Sequence, residues 1–279
     1  MGNFLRTFLL LVLTAALWGG AACRASETFI VAVVPQFAPT QIYRDWTPLL
    51  THLEQVTGYH FQLRVYDQIP RFEAELAQGI PDLVFMNPYH MVLAKQAHAY
   101  RPLVRDSTTL SGILVVRRNG AVKALADLNG QTLSFPAPNA LGASLYLRAL
   151  LAEKEGLKIN PVYVGNHQNV YRQVLRGEVA AGGGVRKTFD KEAESVRAQL
   201  QILYSTPELA PHPLAAHPRV ALAASKKIVE ALLAMRLNPS GSMLLAGIQM
   251  PRPIEADFQR DYEPLVRLKL DRYAIHSGQ

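Results

Sequence analysis

Small and polar residues fill a turn near the middle of the chain, between a predicted strand at residues 131–135 and a predicted helix at residues 145–154. The turn contains Pro138, Asn139 and Ser144. Where a strand turns directly into a helix, the backbone N–H groups at the helix N-terminus have no partners and the helix dipole is positive there. This arrangement binds anions, although an ordinary capped turn has the same pattern. We therefore treat the turn as a candidate anion-binding site.

Two further junctions between a predicted strand and a predicted helix carry hydrogen-bond donors. His167 follows the strand at residues 162–164, and its imidazole either donates to an oxyanion or caps the next helix. Asn87 and Tyr89 follow the strand at residues 82–86. Ligands of open α/β sheets bind at the carboxyl ends of strands. Because the three junctions are rich in donors and poor in carboxylates, they predict a small anion held by N–H, O–H and imidazole groups.

Several other features are predicted to be structural. His212 and His217 lie between prolines and are predicted to be linker residues rather than ligands. Residues 182–184 are three glycines without the Lys-Ser/Thr of a phosphate-binding loop, which favours a flexible or tightly packed turn. The sequence also lacks a dinucleotide fingerprint and a cysteine-based metal site. We predict no catalytic residue, no metal and no cofactor.

Residues 1–25 are predicted to be a targeting segment, a signal peptide, rather than part of the fold. Arg6 precedes an apolar run that is too short to span a membrane, and small residues follow it. Cys23 is the only cysteine, so the mature domain has no internal disulfide. The segment is either cleaved near Ala25 or cut before Cys23, which then carries a lipid anchor. We therefore expect an exported, periplasmic protein.

The composition is that of a globular protein with a modest positive charge. The chain has 29 Lys and Arg residues against 22 Asp and Glu, and 49% of its residues are hydrophobic. No run of basic residues is interleaved with aromatic ones, which argues against a nucleic-acid partner. A mildly positive field favours the capture of small anions.

Predicted strands and helices alternate along the chain, which is typical of an α/β protein with largely parallel sheets. The chain is predicted to cross between two lobes near Ser111 and again within the proline-rich residues 206–218. We therefore predict a two-lobe clamshell, with a mainly parallel sheet flanked by helices in each lobe. The predicted boundaries are residues 1–25 for the signal peptide, 26–111 and 217–279 for the first lobe, and 112–216 for the second.

The order of several motifs resembles the phosphate-, phosphite- and phosphonate-binding proteins of ABC importers, which are type II periplasmic binding proteins. The resemblance covers nearly all of the predicted mature chain. The motifs that carry it are Val33-Val34-Pro35, Trp46-Thr47-Pro48-Leu49-Leu50, Pro81-Asp82-Leu83-Val84-Phe85-Met86-Asn87-Pro88, Phe135-Pro136-Ala137-Pro138-Asn139 and Gly165-Asn166-His167.

The resemblance also implies where the ligand binds. In the family, the oxyanion lies at a helix N-terminus after a Pro-Asn-Ser-Thr-Ser-like turn, with a tyrosine and a histidine from two other turns. The chain matches the Pro-Asn step and the histidine, but it has no Ser/Thr cluster, and glycines replace an acidic residue of the second lobe. The predicted ligand-binding residues are Met86, Asn87, Tyr89, Asn139, Ala140, Leu141, Gly142, Ser144 and His167.

The resemblance implies a monomeric solute-binding protein that captures a small phosphorus oxyanion by hinge closure and hands it to an ABC permease in the inner membrane. The alternatives are a sensory subunit that signals to a membrane kinase and an enzyme on the same scaffold, for which we find no base or nucleophile pair. Because glycines replace the acidic residue, we expect a ligand without an amine, and we expect the glycines to leave room for an apolar tail.

Overall fold

The computed structural model of the chain describes residues 27–275. The predicted targeting segment, including Cys23, lies outside the described residues. Within that part of the chain, no helix is both long enough and apolar enough to cross a membrane.

The described chain folds into two mixed sheets flanked by helices. The strands are β1 (Thr28–Val33), β2 (His60–Arg64), β3 (Leu83–Phe85), β4 (Arg101–Asp106), β5 (Gly112–Arg117), β6 (Thr132–Phe135), β7 (Asn160–Tyr163), β8 (Ala181–Val185), β9 (Leu200–Ser205), β10 (Pro213–Ala216) and β11 (Pro253–Glu255). The α-helices are α1 (Pro39–Thr57), α2 (Ile69–Ala77), α3 (Pro88–His98), α4 (Tyr146–Glu153), α5 (His167–Arg176), α6 (Arg186–Asp190), α7 (Glu194–Arg197), α8 (Leu222–Met235), α9 (Pro239–Gly247), α10 (Phe258–Asp261) and α11 (Glu263–Val266). The shorter helical turns are Leu125–Leu128, Leu141–Leu145 and Leu270–Arg272.

Each sheet belongs to one lobe. The six-stranded sheet of the first lobe has the order β11-β4-β10-β3-β1-β2, and the five-stranded sheet of the second lobe has the order β7-β6-β8-β5-β9. The strands β1, β2 and β3 run parallel, as do β6, β7 and β8. β10 and β5 run antiparallel to both of their neighbours, because each enters its sheet directly after the chain has crossed from the other lobe. The two-lobe α/β architecture is as predicted.

The crossings themselves are short and paired. Residues 107–111 join β4 to β5, and residues 206–212 join β9 to β10. Leu110 and Leu209 exchange two backbone hydrogen bonds, of 2.7 and 2.9 Å, so the two crossings run side by side in opposite directions. Two adjacent extended segments of this kind can act as a hinge between lobes.

Local sequence explains the boundaries of the helices near this hinge. α1 buries Trp46, Leu49 and Leu53 at helical spacing and ends at Gly58, whose φ of 71° favours glycine. The spacing of apolar residues predicts this helix over residues 45–57. In the structure it begins six residues earlier, at Pro39, because proline suits the first turn, where its missing N–H costs nothing.

The proline-rich segment also differs from the prediction. The predicted boundary at residue 217 places Pro213–Ala216 in the second lobe, whereas this segment is β10, which pairs with β3 and β4 of the first sheet. Pro213 is the first residue of the strand, where a proline is tolerated. The chain therefore returns to the first lobe a few residues earlier than predicted.

The three glycines at residues 182–184 form the middle of β8 rather than a turn, and all three are buried. A Cβ on Gly182 would lie 2.5 Å from Val170 Cγ1, and a Cβ on Gly184 would lie 2.3 Å from the Tyr171 hydroxyl. A Cβ on Gly183 would lie 2.0 Å from the Ala143 carbonyl oxygen. The glycines therefore let the flanking helices approach the strand, and they leave no room for an apolar ligand tail.

The region after β8 is less helical than the sequence pattern indicates. The amphipathic pattern of residues 189–200 indicates one helix, whereas the structure has two single turns, Arg186–Asp190 and Glu194–Arg197. α9, at Pro239–Gly247, was not predicted, although Asn238 caps it by accepting a hydrogen bond from the Gly241 N–H.

Candidate ligand-binding site

A cavity lies between the lobes, where the two crossings meet the ends of several strands. Its volume is about 20 Å³, room for about one water molecule, so a ligand of several atoms can enter only if the lobes move apart. Both crossings and both lobes contribute to its wall. The residues that line it are Gln36, Phe85, Leu110, Ser111, Val185, Arg186, Lys187, Pro211, His212 and Gln249.

Lys187 brings a positive charge from the second lobe to this cavity. It lies in α6, and its Nζ donates to Oδ2 of Asp106, at the end of β4 in the first lobe, over 2.9 Å. The Asp106 carboxylate is buried and also accepts hydrogen bonds of 2.8 Å from the N–H and the hydroxyl of Thr108. The ion pair therefore joins the lobes and neutralises a buried carboxylate.

Uncharged polar groups line other parts of the cavity wall. The Gln249 side-chain amide donates to Oε1 of Gln36 over 3.2 Å, and the Gln36 side-chain N–H groups have no partner among residues 27–275. The hydroxyl of Ser111, in the first crossing, makes only long contacts of 3.4 and 3.5 Å with backbone carbonyls. These groups can donate to an anion without a change of charge.

His212, in the second crossing, is one of the cavity residues that the sequence interpretation missed. Its ring stacks on Phe85, with ring centroids 5.6 Å apart, and no residue of the described chain forms a hydrogen bond with it. Burial lowers the pKa of His212 well below its ordinary value, and the nearby positive charge of Lys187 lowers it further. The imidazole is therefore neutral and offers one N–H donor and one acceptor nitrogen.

The structure brings two of the predicted site residues together across the cleft. The Asn87 side chain caps α3 by accepting from the His90 N–H over 2.9 Å, and its Nδ2 donates to the Asn139 carbonyl oxygen over 3.1 Å. Asn87 belongs to the first lobe and Asn139 to the second. The backbone carbonyl and the side chain of Asn139 both have protein partners, since the side chain bonds to the backbone of Ile275.

The candidate anion turn is packed rather than open. The segment Leu141–Leu145 forms one π-helical turn, and all of its residues are buried. A Cβ on Gly142 would lie 2.6 Å from Leu110 Cδ2, so the turn presses directly on the first crossing. Ala140 and Leu141 are buried in the apolar cluster that joins the lobes, which explains why small and apolar residues stand where the resembled family has hydroxyls.

His167 and Ser144 also have protein partners. The Thr188 hydroxyl donates to the Val185 carbonyl and lies 3.3 Å from Nδ1 of His167, so the imidazole donates to it. Burial lowers the pKa of His167 to about 3, so the ring is neutral. Ser144 is buried, and its hydroxyl accepts from Nε of Arg148 over 3.2 Å.

The last two predicted residues lie beneath the surface of the first lobe. Met86 is completely buried directly after β3. Tyr89 is buried in the first turn of α3, and its hydroxyl donates to Oδ1 of Asp271 over 2.9 Å. None of the nine predicted residues lines the cavity, so their direct contact with a ligand stays a prediction.

The described residues contain no group of three or more His, Cys, Asp or Glu side chains that could hold a metal ion. The cavity wall offers instead the Lys187 ammonium, the Arg186 guanidinium, neutral amides, a hydroxyl and a neutral imidazole. This set binds a ligand by hydrogen bonds and charge, and it contains no arrangement of a nucleophile with a base.

Comparisons with known proteins agree with this description of the fold. Residues 31–262 match the family of periplasmic substrate-binding proteins of phosphonate ABC transporters. No curated protein matches the chain.

Three similar solved structures share the fold at low sequence identity. A binding protein component of a phosphonate ABC transporter from Pseudomonas aeruginosa is 13% identical, with a TM-score of 0.78 over 89% of this chain and 87% of that one. PhnD1 from Prochlorococcus marinus, in complex with methylphosphonate, is 14% identical, with a TM-score of 0.80 over 89% and 99%. A Xanthomonas citri protein bound to ATP is 15% identical, with a TM-score of 0.72 over 90% and 100%.

The family and its structural relatives are binding proteins of transporters rather than enzymes, and they act outside the cytoplasm by binding a small ligand and delivering it to an ABC permease. The resemblance noted in the motifs is therefore confirmed, since the match covers most of the chain. The protein belongs to the family of periplasmic substrate-binding proteins of phosphonate ABC transporters.

Proposed function

We propose that the protein captures a small phosphorus oxyanion, namely phosphate, phosphite or a simple phosphonate, in the cavity between its lobes. The observation that carries the proposal is the position of Lys187 and His212. An ammonium from the second lobe and an unpartnered imidazole from the second crossing both line the same cavity. A ligand held there contacts both lobes and both crossings, so its binding is coupled to hinge closure.

Each polar group has a distinct part in this proposal. Lys187 supplies the positive charge, which it shares between the ligand and Asp106. Gln36, Gln249 and Ser111 donate neutral hydrogen bonds. Neutral His212 donates one N–H to the anion, and its other nitrogen can accept the proton of a P–OH group. Charge-assisted hydrogen bonds of this kind are the strongest in such a site.

The cavity charges favour a ligand without an amine. The only carboxylate beside the cavity wall that the described contacts reveal is Asp106, and it is already engaged by Lys187 and Thr108. An ammonium group in this cavity would be buried without a counter-ion, at a cost of several kcal/mol. The packing of the glycines at residues 182–184 also leaves no space for an apolar tail beside β8. We therefore propose a compact ligand, such as methylphosphonate, phosphite or phosphate.

Calorimetry with a panel of four anions tests this proposal. Methylphosphonate, phosphite and phosphate should bind more tightly than 2-aminoethylphosphonate. Methanesulfonate serves as the matched control, because it has the shape of methylphosphonate but carries no proton for His212 to accept, and it should bind more weakly. Tightest binding of the aminophosphonate would contradict the proposed charge balance.

The export, the membrane anchoring and the membrane partner of the protein are also proposals. We infer that residues 1–25 direct export and that the mature protein, a monomer, either moves freely in the periplasm or is anchored through lipid on Cys23. Intact-mass analysis of protein from its native host distinguishes the two forms. Copurification with an ABC permease would support the transport role, whereas copurification with a membrane kinase would support the sensory alternative.

A further inference from the structure

The C-terminal segment is a third stretch of chain that bridges the lobes, in addition to the two crossings. We call residues 270–275 the strap. The strap begins in the first lobe, where Leu270 is buried in the core and the Tyr89 hydroxyl donates to Oδ1 of Asp271 over 2.9 Å. α11, which precedes the strap, packs on α3 of the same lobe. The start of the strap is therefore fixed to the first lobe.

The remainder of the strap bonds to the second lobe. Arg272 pairs with Glu153 of α4 over 3.2 Å, and the Tyr273 hydroxyl donates to the same carboxylate. The Asn139 side chain forms a two-way pair with the backbone of Ile275: its Nδ2 donates to the carbonyl over 2.8 Å, and its Oδ1 accepts from the N–H over 3.0 Å. These bonds join the strap to the turn that precedes Leu141–Leu145.

Arg148, a largely buried cation of the second lobe, forms a hydrogen bond with the strap. Its guanidinium donates to the carbonyl oxygens of Pro138 and Tyr273, over 2.9 and 2.7 Å, and to Ser144. No carboxylate of the described chain pairs with it, and burial lowers the pKa of Arg148. The Tyr273 carbonyl is thus one of three neutral acceptors that satisfy a largely buried cation. A buried charge that loses an acceptor is costly, so removal of the strap from Arg148 is opposed.

We propose that the strap is a latch between the lobes that favours the closed arrangement of the protein before a ligand arrives. The lobes cannot separate at the Asn139 turn unless these bonds break, because the strap is fixed to the first lobe at Leu270 and Asp271. A closed arrangement that is already populated raises the apparent affinity for any ligand that selects it. This consequence for affinity rests on the proposed function, whereas the effect on closure does not.

Distances between spin labels in the ligand-free protein test the latch. The labels are placed on Lys158→Cys in the second lobe and Arg236→Cys in the first, both exposed, in a Cys23→Ser background that removes the only native cysteine. A chain that ends at Asp271 loses every bond from the strap to the second lobe but keeps Leu270 and the hydrogen bond from Tyr89 to Asp271. It should show a longer and broader interlobe distance than the full chain.

Point variants separate the latch from a general loss of structure. Asn139→Ala removes the pair with Ile275 but keeps the backbone carbonyl that Asn87 contacts, and it should lengthen the distance part of the way. Asn119→Ala, at an exposed turn of the same lobe, is the matched control and should leave the distance unchanged. Equal distance distributions in the full chain, the shortened chain and Asn139→Ala would overturn the latch.

The affinity measurement distinguishes the latch from the proposed function. With methylphosphonate as the probe, the shortened chain should bind about tenfold more weakly than the full chain, the change expected when a charge-assisted contact is lost from the closed state. If methylphosphonate, phosphite and phosphate all fail to bind the full chain, the proposed function fails, while the distances still decide the latch. Unaltered affinity together with unaltered distances would contradict the latch alone.

Discussion

The Nζ atom of Lys187 lies 2.9 Å from Oδ2 of Asp106, so that an ion pair joins the second lobe to the last residue of β4 in the first. The pair lies at the wall of the cavity between the lobes. The pair keeps the Lys187 ammonium at the cavity wall, and the Asp106 carboxylate neutralises most of its positive charge. The cavity can therefore attract an anion without leaving a strong uncompensated charge when it is empty.

Removal of this ion pair should weaken anion binding while the fold survives. Lys187→Met alone would leave the buried Asp106 carboxylate without its cation, at a cost of about 3–5 kcal/mol of stability. The double variant Lys187→Met with Asp106→Asn avoids this cost. We expect it to fold and to bind methylphosphonate more weakly by about 1.5–3 kcal/mol, the value of a hydrogen bond to a charged group. Calorimetry provides the measurement.

The control for this experiment is Lys158→Met, which removes an exposed positive charge from the same lobe. It should bind like the unaltered protein, because exposed charges at a distance are screened by salt. Equal affinities of the double variant and this control would show that Lys187 does not contact the ligand.

The stability of the ligand-free protein should fall as the pH is lowered from about 6.5. Burial lowers the pKa of His167 to about 3 and that of His212 well below its ordinary value, so the folded state binds fewer protons than the unfolded state in this range. A histidine whose pKa is lower in the folded state than in the unfolded state contributes stability at higher pH, and this stability is lost as the pH falls. The expected loss is about 1.4 kcal/mol per pH unit for each histidine.

Urea unfolding at several pH values between 7.5 and 5 measures this dependence. His167→Gln should reduce the slope, since glutamine does not titrate. His52→Gln, on α1, changes a histidine that forms no hydrogen bond with the described chain and is the matched control. A slope that His167→Gln leaves unaltered would contradict a buried, neutral His167.

The close packing of β8 predicts a large effect for a single methyl group. Gly183→Ala would place a Cβ 2.0 Å from the Ala143 carbonyl oxygen and 2.5 Å from Phe135, so backbone must move. We expect a loss of about 1–3 kcal/mol or more in the free energy of unfolding. Gly247→Ala is the control, because its Cβ would meet nothing closer than 3.9 Å. Similar stabilities of the two variants would show that β8 and the turn before α4 are not in contact.

The sequence predicted the elements whose signal is local. The sequence pattern predicts strands at residues 28–35 and 112–117 and helices at residues 89–98 and 169–176, and β1, β5, α3 and α5 lie close to these bounds. The signals are local, because the apolar periodicity and the capping residues Asn87 and Asn166 lie within or next to each element. The resemblance to the phosphonate-binding family was also correct, since it depended on the order of several motifs rather than on one of them.

The features that the sequence did not reveal depend on contacts between distant residues. The three glycines of β8 suggested a turn, and only their contacts with Val170, Ala143 and Tyr171 explain why the strand needs them. The flanking prolines predict a linker role for His212. The signal that could have identified it is its position immediately before the short apolar segment Pro213–Ala216, which forms β10. A polar residue just before a buried strand can lie at the cleft.

A crystal structure of the complex with methylphosphonate tests the central claim most directly. We predict that the phosphonate lies in the cavity between the lobes, with its oxygens within hydrogen-bond distance of Lys187 Nζ and a ring nitrogen of His212. A phosphonate bound instead at the Asn139–Ser144 turn, with the cavity beside His212 empty, would contradict the proposed site and would favour the residues that the sequence pattern predicted.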